Sequence, residues 1–199
     1  MQNLNSNQQG FTLMELLIVI AIIVILMGLL FPAFKGVQDQ AKRTQAKNDL
    51  TQIVTAVNAF YTEYGKYPTT VTSGDATYGP GGSDTENGDV FKELRGTSTA
   101  LNTRQVVFIN PPVAKDQTNP KSGIKSSSSG YYDPWGTEYA VAMDANYDNQ
   151  VANPYGNNNG AGADPLRQGA IAWSLGKDTA LGNNGDGKYT NSDDAISWQ

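Results

Sequence analysis

From Leu16 to Phe34 the chain runs for 19 residues without a charged side chain. As a helix, that stretch reaches roughly 28 Å, close to the hydrocarbon thickness of a bilayer. It can therefore span a membrane, and the rest of the chain must be organised around it. An ordinary secretory signal has a basic start, an apolar region of about 7–15 residues and a small-residue cleavage site behind it. Here a polar leader, Met1 to Gly10, abuts the apolar run directly, and a lone carboxylate, Glu15, stands almost at its beginning.

What surrounds the run narrows the chemistry. The 199 residues include no cysteine and no histidine, which removes disulfides, thiol chemistry, Cys/His zinc sites and every histidine-based general base. The formal net charge of −5 carries no basic nucleic-acid footprint, so nucleic acid is not an expected partner. The acidity is concentrated: residues 130–199 hold nine acids against three bases. With no disulfide to tie down its loops, the polar C-terminal part needs some other staple.

Gly10-Phe11-Thr12-Leu13-Met14-Glu15-Leu16-Leu17 resembles the processing signal of type IV pilins and type II secretion pseudopilins. The resemblance implies that a prepilin peptidase cuts between Gly10 and Phe11 and that the new Phe11 amine is N-methylated. The apolar helix then serves first as anchor and later as the seam of a helical homopolymer. Glycine at the cut suits a protease that must approach backbone closely. Pro32 matches the family's helix-interior proline. A carboxylate inside an apolar segment is expensive and usually finds a partner. For Glu15 that partner is expected to be the Phe11 amine of a neighbouring subunit, making Glu15 an assembly residue. The leader carries no Lys or Arg while Lys35, Lys42, Arg43 and Lys47 follow the run. The positive-inside rule alone favours the reverse orientation. The cleavage motif outweighs it and implies a single-pass inner-membrane protein with its C-terminal domain in the periplasm.

Beyond Pro32 and Gly36, which are candidate kinks, the pattern continues as an amphipathic helix over residues 35–64. Leu50, Ile53, Val54, Val57, Phe60, Tyr61 and Tyr64 recur at three- and four-residue steps and read as core packing; Gly65 and Pro68 end the helix. Residues 65–199 read as a loop-rich head. A short helix is expected around Val90 to Arg95. Strands are expected at Val106 to Ile109, Glu138 to Met143, Gly169 to Ser174 and, more weakly, Gln150 to Ala152. Tyr78-Gly79-Pro80-Gly81-Gly82 and the serines Ser126 to Ser129 are turn and loop material. The fold class is therefore α+β: a long N-terminal helix packed on a small antiparallel sheet, as in pilins. Asp133-Pro134-Trp135-Gly136 reads as a structural turn pinned by its Trp. It also resembles a hallmark of major pseudopilins of type II secretion.

The C-terminal stretch from Leu175-Gly176-Lys177-Asp178 to Asp193-Asp194-Ala195-Ile196-Ser197-Trp198 is dense in oxygen donors and glycines. Calcium takes about six to eight oxygen ligands, and like charges crowded in one loop repel unless neutralised. The loop is similar to the C-terminal calcium loop of major pseudopilins. That similarity implies Ca2+ held by the Leu175 carbonyl and the carboxylates of Asp178 and Asp194, with Asp193 as a further ligand. A longer insert separates Asp178 from Asp193 here and offers Asn184 and Asp186 as extra donors. An EF-hand frame starting at Gly182 fails at its first ligand. A second cluster, Asp144, Asn146, Asp148 and Asn149, reads as turn chemistry.

The leading expectation is a structural subunit rather than an enzyme: a processed pseudopilin of a type II secretion system that promotes protein export across the outer membrane. Its implied partners are copies of itself, prepilin peptidase, an inner-membrane assembly platform with its ATPase, and minor pseudopilins. A surface type IV pilin for adhesion or motility is the alternative, though adhesive pilins commonly carry a C-terminal disulfide loop. An anchored hydrolase using Asp193 and Asp194 lacks a preorganised pocket.

Overall fold

The computed structural model describes residues 11–80 and 86–199, without the side chains of residues 29–33. Gly10 and the rest of the leader lie outside the described residues, as do Gly81 and Gly82 of the expected turn. Pro32 is described only as part of a helical backbone. The chain divides into two units, Met1–Ala41 and Lys42–Gln199.

Helix α1 spans Leu13–Tyr64, 52 residues. Thr12 caps it in a reciprocal arrangement. The Glu15 backbone N–H donates to Thr12 Oγ1 at 3.2 Å, while the Thr12 N–H and hydroxyl both donate to Glu15 Oε2 at 2.8 Å. This is a capping box, which satisfies donors the first turn would otherwise leave open. In the first unit the described apolar side chains of α1 are turned to the outside: Leu17 is 59% exposed, Ile22 52% and Ile25 64%. Among the described residues no helix is long and apolar enough to cross a membrane. The expected transmembrane run Leu16–Phe34 includes residues 29–33, so it falls only in part on described side chains.

In the second unit, α1 buries Ala46, Leu50, Ile53, Val57 and Phe60 completely. The 4-3-4-3 spacing is one face of a helix. Tyr61, expected in that stripe, stays 39% exposed and stacks on Tyr67 at 4.7 Å. Gly65 adopts a positive φ of 67° and donates its N–H to the Tyr61 carbonyl at 2.8 Å, the left-handed ending that glycine makes inexpensive.

The sheet has the order β1-β4-β5-β6, all neighbours antiparallel, built from Ala76–Tyr78, Ala140–Met143, Ala170–Ser174 and Ala195–Ile196. A separate two-stranded ribbon pairs β2, Gly123–Ile124, with β3, Tyr131–Tyr132. Both faces of the larger sheet are covered. Val141, Met143, Ala170, Ala172 and Ala195 share a core with α1 and with α2, Gly88–Leu94. On the opposite face, Ala140, Ala142, Ile171, Trp173 and Ile196 meet Val151, Tyr155, Leu166 and Leu175. The strict alternation follows from the two-residue period of a strand. It also explains why β4 and β5 read as near-continuous apolar runs.

Two strand expectations are corrected. Val106 to Ile109 is not a strand; it wraps the end of α2, where the N–H groups of Phe108 and Ile109 donate to the Leu94 carbonyl at 2.8 and 3.2 Å. A free helix carbonyl competed successfully for those donors. Gln150 to Ala152 contributes only an isolated bridge between Val151 and Leu166. The expected short helix is α2, and the expected strands around residues 140–143 and 170–174 are β4 and β5.

Candidate functional site

The antiparallel β5–β6 pair positions the C-terminal loop. Trp173 faces Ile196 and Ser174 faces Ala195. One further step of that register sets Leu175 opposite Asp194, so the two ends of the loop meet at the sheet edge. Gly176, with φ 65°, lets the chain turn there. A Cβ on it would sit 2.7 Å from Asp193 Cγ, so glycine alone allows this approach.

Asp178, Asp193 and Asp194 each offer a carboxylate oxygen, and these oxygens all lie within 4.8 Å of one another. Oxygens on opposite sides of one calcium ion are about 5 Å apart, so the spacing suits a single ion. Asp194 is fully buried. Its Oδ2 accepts from the Tyr155 hydroxyl at 2.8 Å and the Gly182 N–H at 2.7 Å. Its Oδ1 is buried with no hydrogen-bond partner. An orphaned carboxylate oxygen beside two further carboxylates is costly to leave uncompensated, and a cation there would satisfy it. Burial pushes the Asp194 carboxyl up to about 6; Tyr155 and Gly182 oppose the shift, while Asp193 and Asp178 add to it.

The other acids of the loop are engaged with its backbone. Asp193 Oδ2 accepts from the N–H groups of Lys177 and Asp178 at 2.5 and 3.2 Å. Asp178 accepts from Ala180 and Asn184. Asp186 accepts from the N–H groups of Asn183 and Lys188 and is not among the three converging carboxylates. The insert thus folds on itself around Asp186, while Asp178 reaches back to the sheet edge. Leu175 is buried and lies across from Asp194 in the same register.

Three contributors escaped the sequence reading. Tyr155 reaches Asp194 across 39 residues, and the Arg43 guanidinium donates to the Asp194 backbone carbonyl at 2.9 Å across 151 residues. No local pattern announces either. Thr12 did have a signal, since Thr-x-x-Glu ahead of an apolar run is the capping-box pattern. Asp133 is structural, as expected, but its role is larger than that of a turn. Fully buried, its Oδ1 accepts from the N–H groups of Trp135, Gly136 and Thr137, and its Oδ2 from Ser174 Oγ at 2.6 Å.

At the other end of the chain, residues 5–31 match the family model described as the prokaryotic N-terminal methylation motif. The matched segment covers 27 of the 199 residues. It includes Gly10, Phe11 and Glu15 and stops one residue short of Pro32. The chain is similar to the type IV major pilin protein PilA of Myxococcus xanthus, 41% identical over 63 residues, which are 32% of this chain and 29% of that protein. It is similar to type II secretion system core protein G of Pseudomonas aeruginosa, 40% identical over 63 residues, covering 32% and 44%. It is also similar to the type IV major pilin protein PilE1 of Neisseria gonorrhoeae, 36% identical over 92 residues, covering 46% and 49%. The matches span less than half the length of each of these relatives. No solved structure matches the chain. The long helix and small antiparallel sheet are the α+β arrangement that the pilin resemblance implies.

Proposed function

We propose that this chain is a structural subunit of a type II secretion pseudopilus. Prepilin peptidase cuts it after Gly10, Phe11 becomes the N-methylated N-terminus, and the subunit polymerises through α1 to promote protein export across the outer membrane. One observation carries the reading: a methylation motif leads directly into a capped helix whose first unit turns its large apolar side chains outward. Exposed apolar area of that extent needs lipid or neighbouring subunits to cover it. The similarity to core protein G of several bacteria supports the type II assignment. In this reading the precursor is anchored in the inner membrane with its second unit in the periplasm. The assembly platform, its ATPase and minor pseudopilins act on it, and its work is mechanical rather than catalytic.

Calcium held by Leu175, Asp178, Asp193 and Asp194 is part of the same proposal, supported by the converging carboxylates and the orphaned Asp194 oxygen. When bound, the ion would offset two of the three carboxylate charges and cross-link the loop to the sheet edge, replacing the staple that a cysteine-free chain lacks.

Deleting the gene and comparing the secretome with surface fibres tests the reading. Lost export with intact fibres supports it; intact export with lost fibres favours a type IV pilin, to which the similarity with PilA and PilE1 points. Glu15→Leu should insert normally and fail to incorporate into filaments.

A further inference from the structure

Resting on the calcium reading above, we propose that Arg43 is a positioning residue that couples the cation loop to helix α1, so that loading the loop is felt by helix residues 43–50. The half-buried Arg43 guanidinium donates to the Asp194 carbonyl at 2.9 Å. The bond goes to the backbone, so the three converging carboxylates are left to a divalent ion rather than neutralised by the guanidinium.

Asp194 is therefore gripped at separate atoms by separate parts of the second unit. Its carbonyl is held by α1, its Oδ2 by Tyr155 and Gly182, and its Oδ1 is open to the ion. Immediately after it, Ala195 and Ile196 are locked in β6 with almost no exposure. An ion on Oδ1 thus fixes a residue that has little freedom to move except through the loop and Arg43. On the helix side, Ala46 and Leu50 are fully buried in the core and cannot absorb a displacement at Arg43. Opening of the empty loop releases the Arg43 acceptor, and the first turns of α1 in this unit lose an anchor. Coupling of this kind is a matter of linkage: an ion that binds the ordered loop more tightly must also stabilise whatever the ordered loop holds.

Hydrogen exchange of the full chain in detergent micelles, with and without added calcium, tests the coupling, with Arg43→Gln and Arg43→Lys as variants. In the unsubstituted chain, calcium should slow exchange in residues 176–194 and, by about tenfold, in residues 43–50, the scale of one hydrogen bond to a charged donor. Arg43→Gln should keep the slowing in the loop and lose it in the helix, and Arg43→Lys should restore part of it. A helix that ignores calcium while the loop responds overturns the coupling and leaves the calcium reading standing. So does an Arg43→Gln helix that responds as fully as the unsubstituted one. Calcium without effect on either segment defeats both.

Discussion

Residues 144–149 and residues 176–194 are both turns crowded with Asp and Asn, and they end in opposite electrostatic conditions. In the first, Asp144 Oδ1 accepts from the Asp148 N–H at 3.1 Å and its Oδ2 from the Asn149 N–H at 2.7 Å. Asp148 in turn accepts from the Gln150 N–H and the Asn146 amide. Each of these carboxylates is engaged within its own loop. In the second, three carboxylates converge and one oxygen of the fully buried Asp194 is left without a donor. Asp133, equally buried, has three N–H groups and a hydroxyl around it. Composition alone does not distinguish the two loops; the count of donors reaching each oxygen does.

The contrast can be broken most forcefully at Asp133. Asp133→Ala should cost about 4 kcal/mol in denaturant unfolding, because it strands buried donors, and calcium should not recover the loss. A cost below about 1 kcal/mol would show that its donors find other acceptors.

The next largest effect concerns Asp194. Its folded-state pKa of about 6 lies above the ordinary 3.8, so between those values the folded protein holds a proton that the unfolded chain has released. Its contribution is therefore fully present below pH 3.8 and is lost as pH rises through about 6, on the order of 2–3 kcal/mol without calcium. Burial raises the carboxyls of Asp49, Asp75 and Asp133 as well, so the decisive quantity is the difference between the unsubstituted chain and Asp194→Asn. That variant should be the more stable of the two at pH 7 without calcium, should flatten the pH profile, and should no longer be stabilised by calcium. Thermal unfolding at pH 5 and pH 7, with calcium and with chelator, reads all three.

Smaller effects sharpen the other side of the comparison. Asp144→Ala should cost about 2 kcal/mol for two lost backbone acceptor contacts, and the more exposed Asp148→Ala about 0.5 kcal/mol. Neither loss should depend on calcium in a melting experiment. A calcium-dependent change at Asp144 would show that this loop responds to the ion too, and the contrast would fail.

Helix residues 46–60 were readable because a 3.6-residue period survives any tertiary context: Leu50, Ile53, Val57 and Phe60 of the apolar stripe are buried as expected, Ala46 and Ala56 join them, and Val54 is only half-buried. The strands were half readable. Ala140–Met143 and Ala170–Ser174 are long enough to show as apolar runs. Ala76–Tyr78, Gly123–Ile124, Tyr131–Tyr132 and Ala195–Ile196 have two or three residues each and exist only through partners far along the chain. Val106 to Ile109 has the residue types of a strand, but its donors went to the end of α2. The loop acids Asp178, Asp193 and Asp194 were legible as oxygen donors in a glycine-rich frame. Their division of labour was not.

The residues themselves determined an uncharged run that water cannot solvate cheaply, a match to the N-terminal methylation motif at its head, an amphipathic continuation and an acidic C-terminal loop with no disulfide to hold it. These depend on short-range order along the chain, where period, charge and turn chemistry act directly. Tertiary structure alone decided that Asp194 would be sealed from water with one oxygen unpaired, and that Tyr155 and Arg43, distant from it and from each other in sequence, would grip it. The reason is physical: burial and hydrogen-bond satisfaction belong to positions in space, and contacts across 39 and 151 residues exist only once the sheet has closed against the helix.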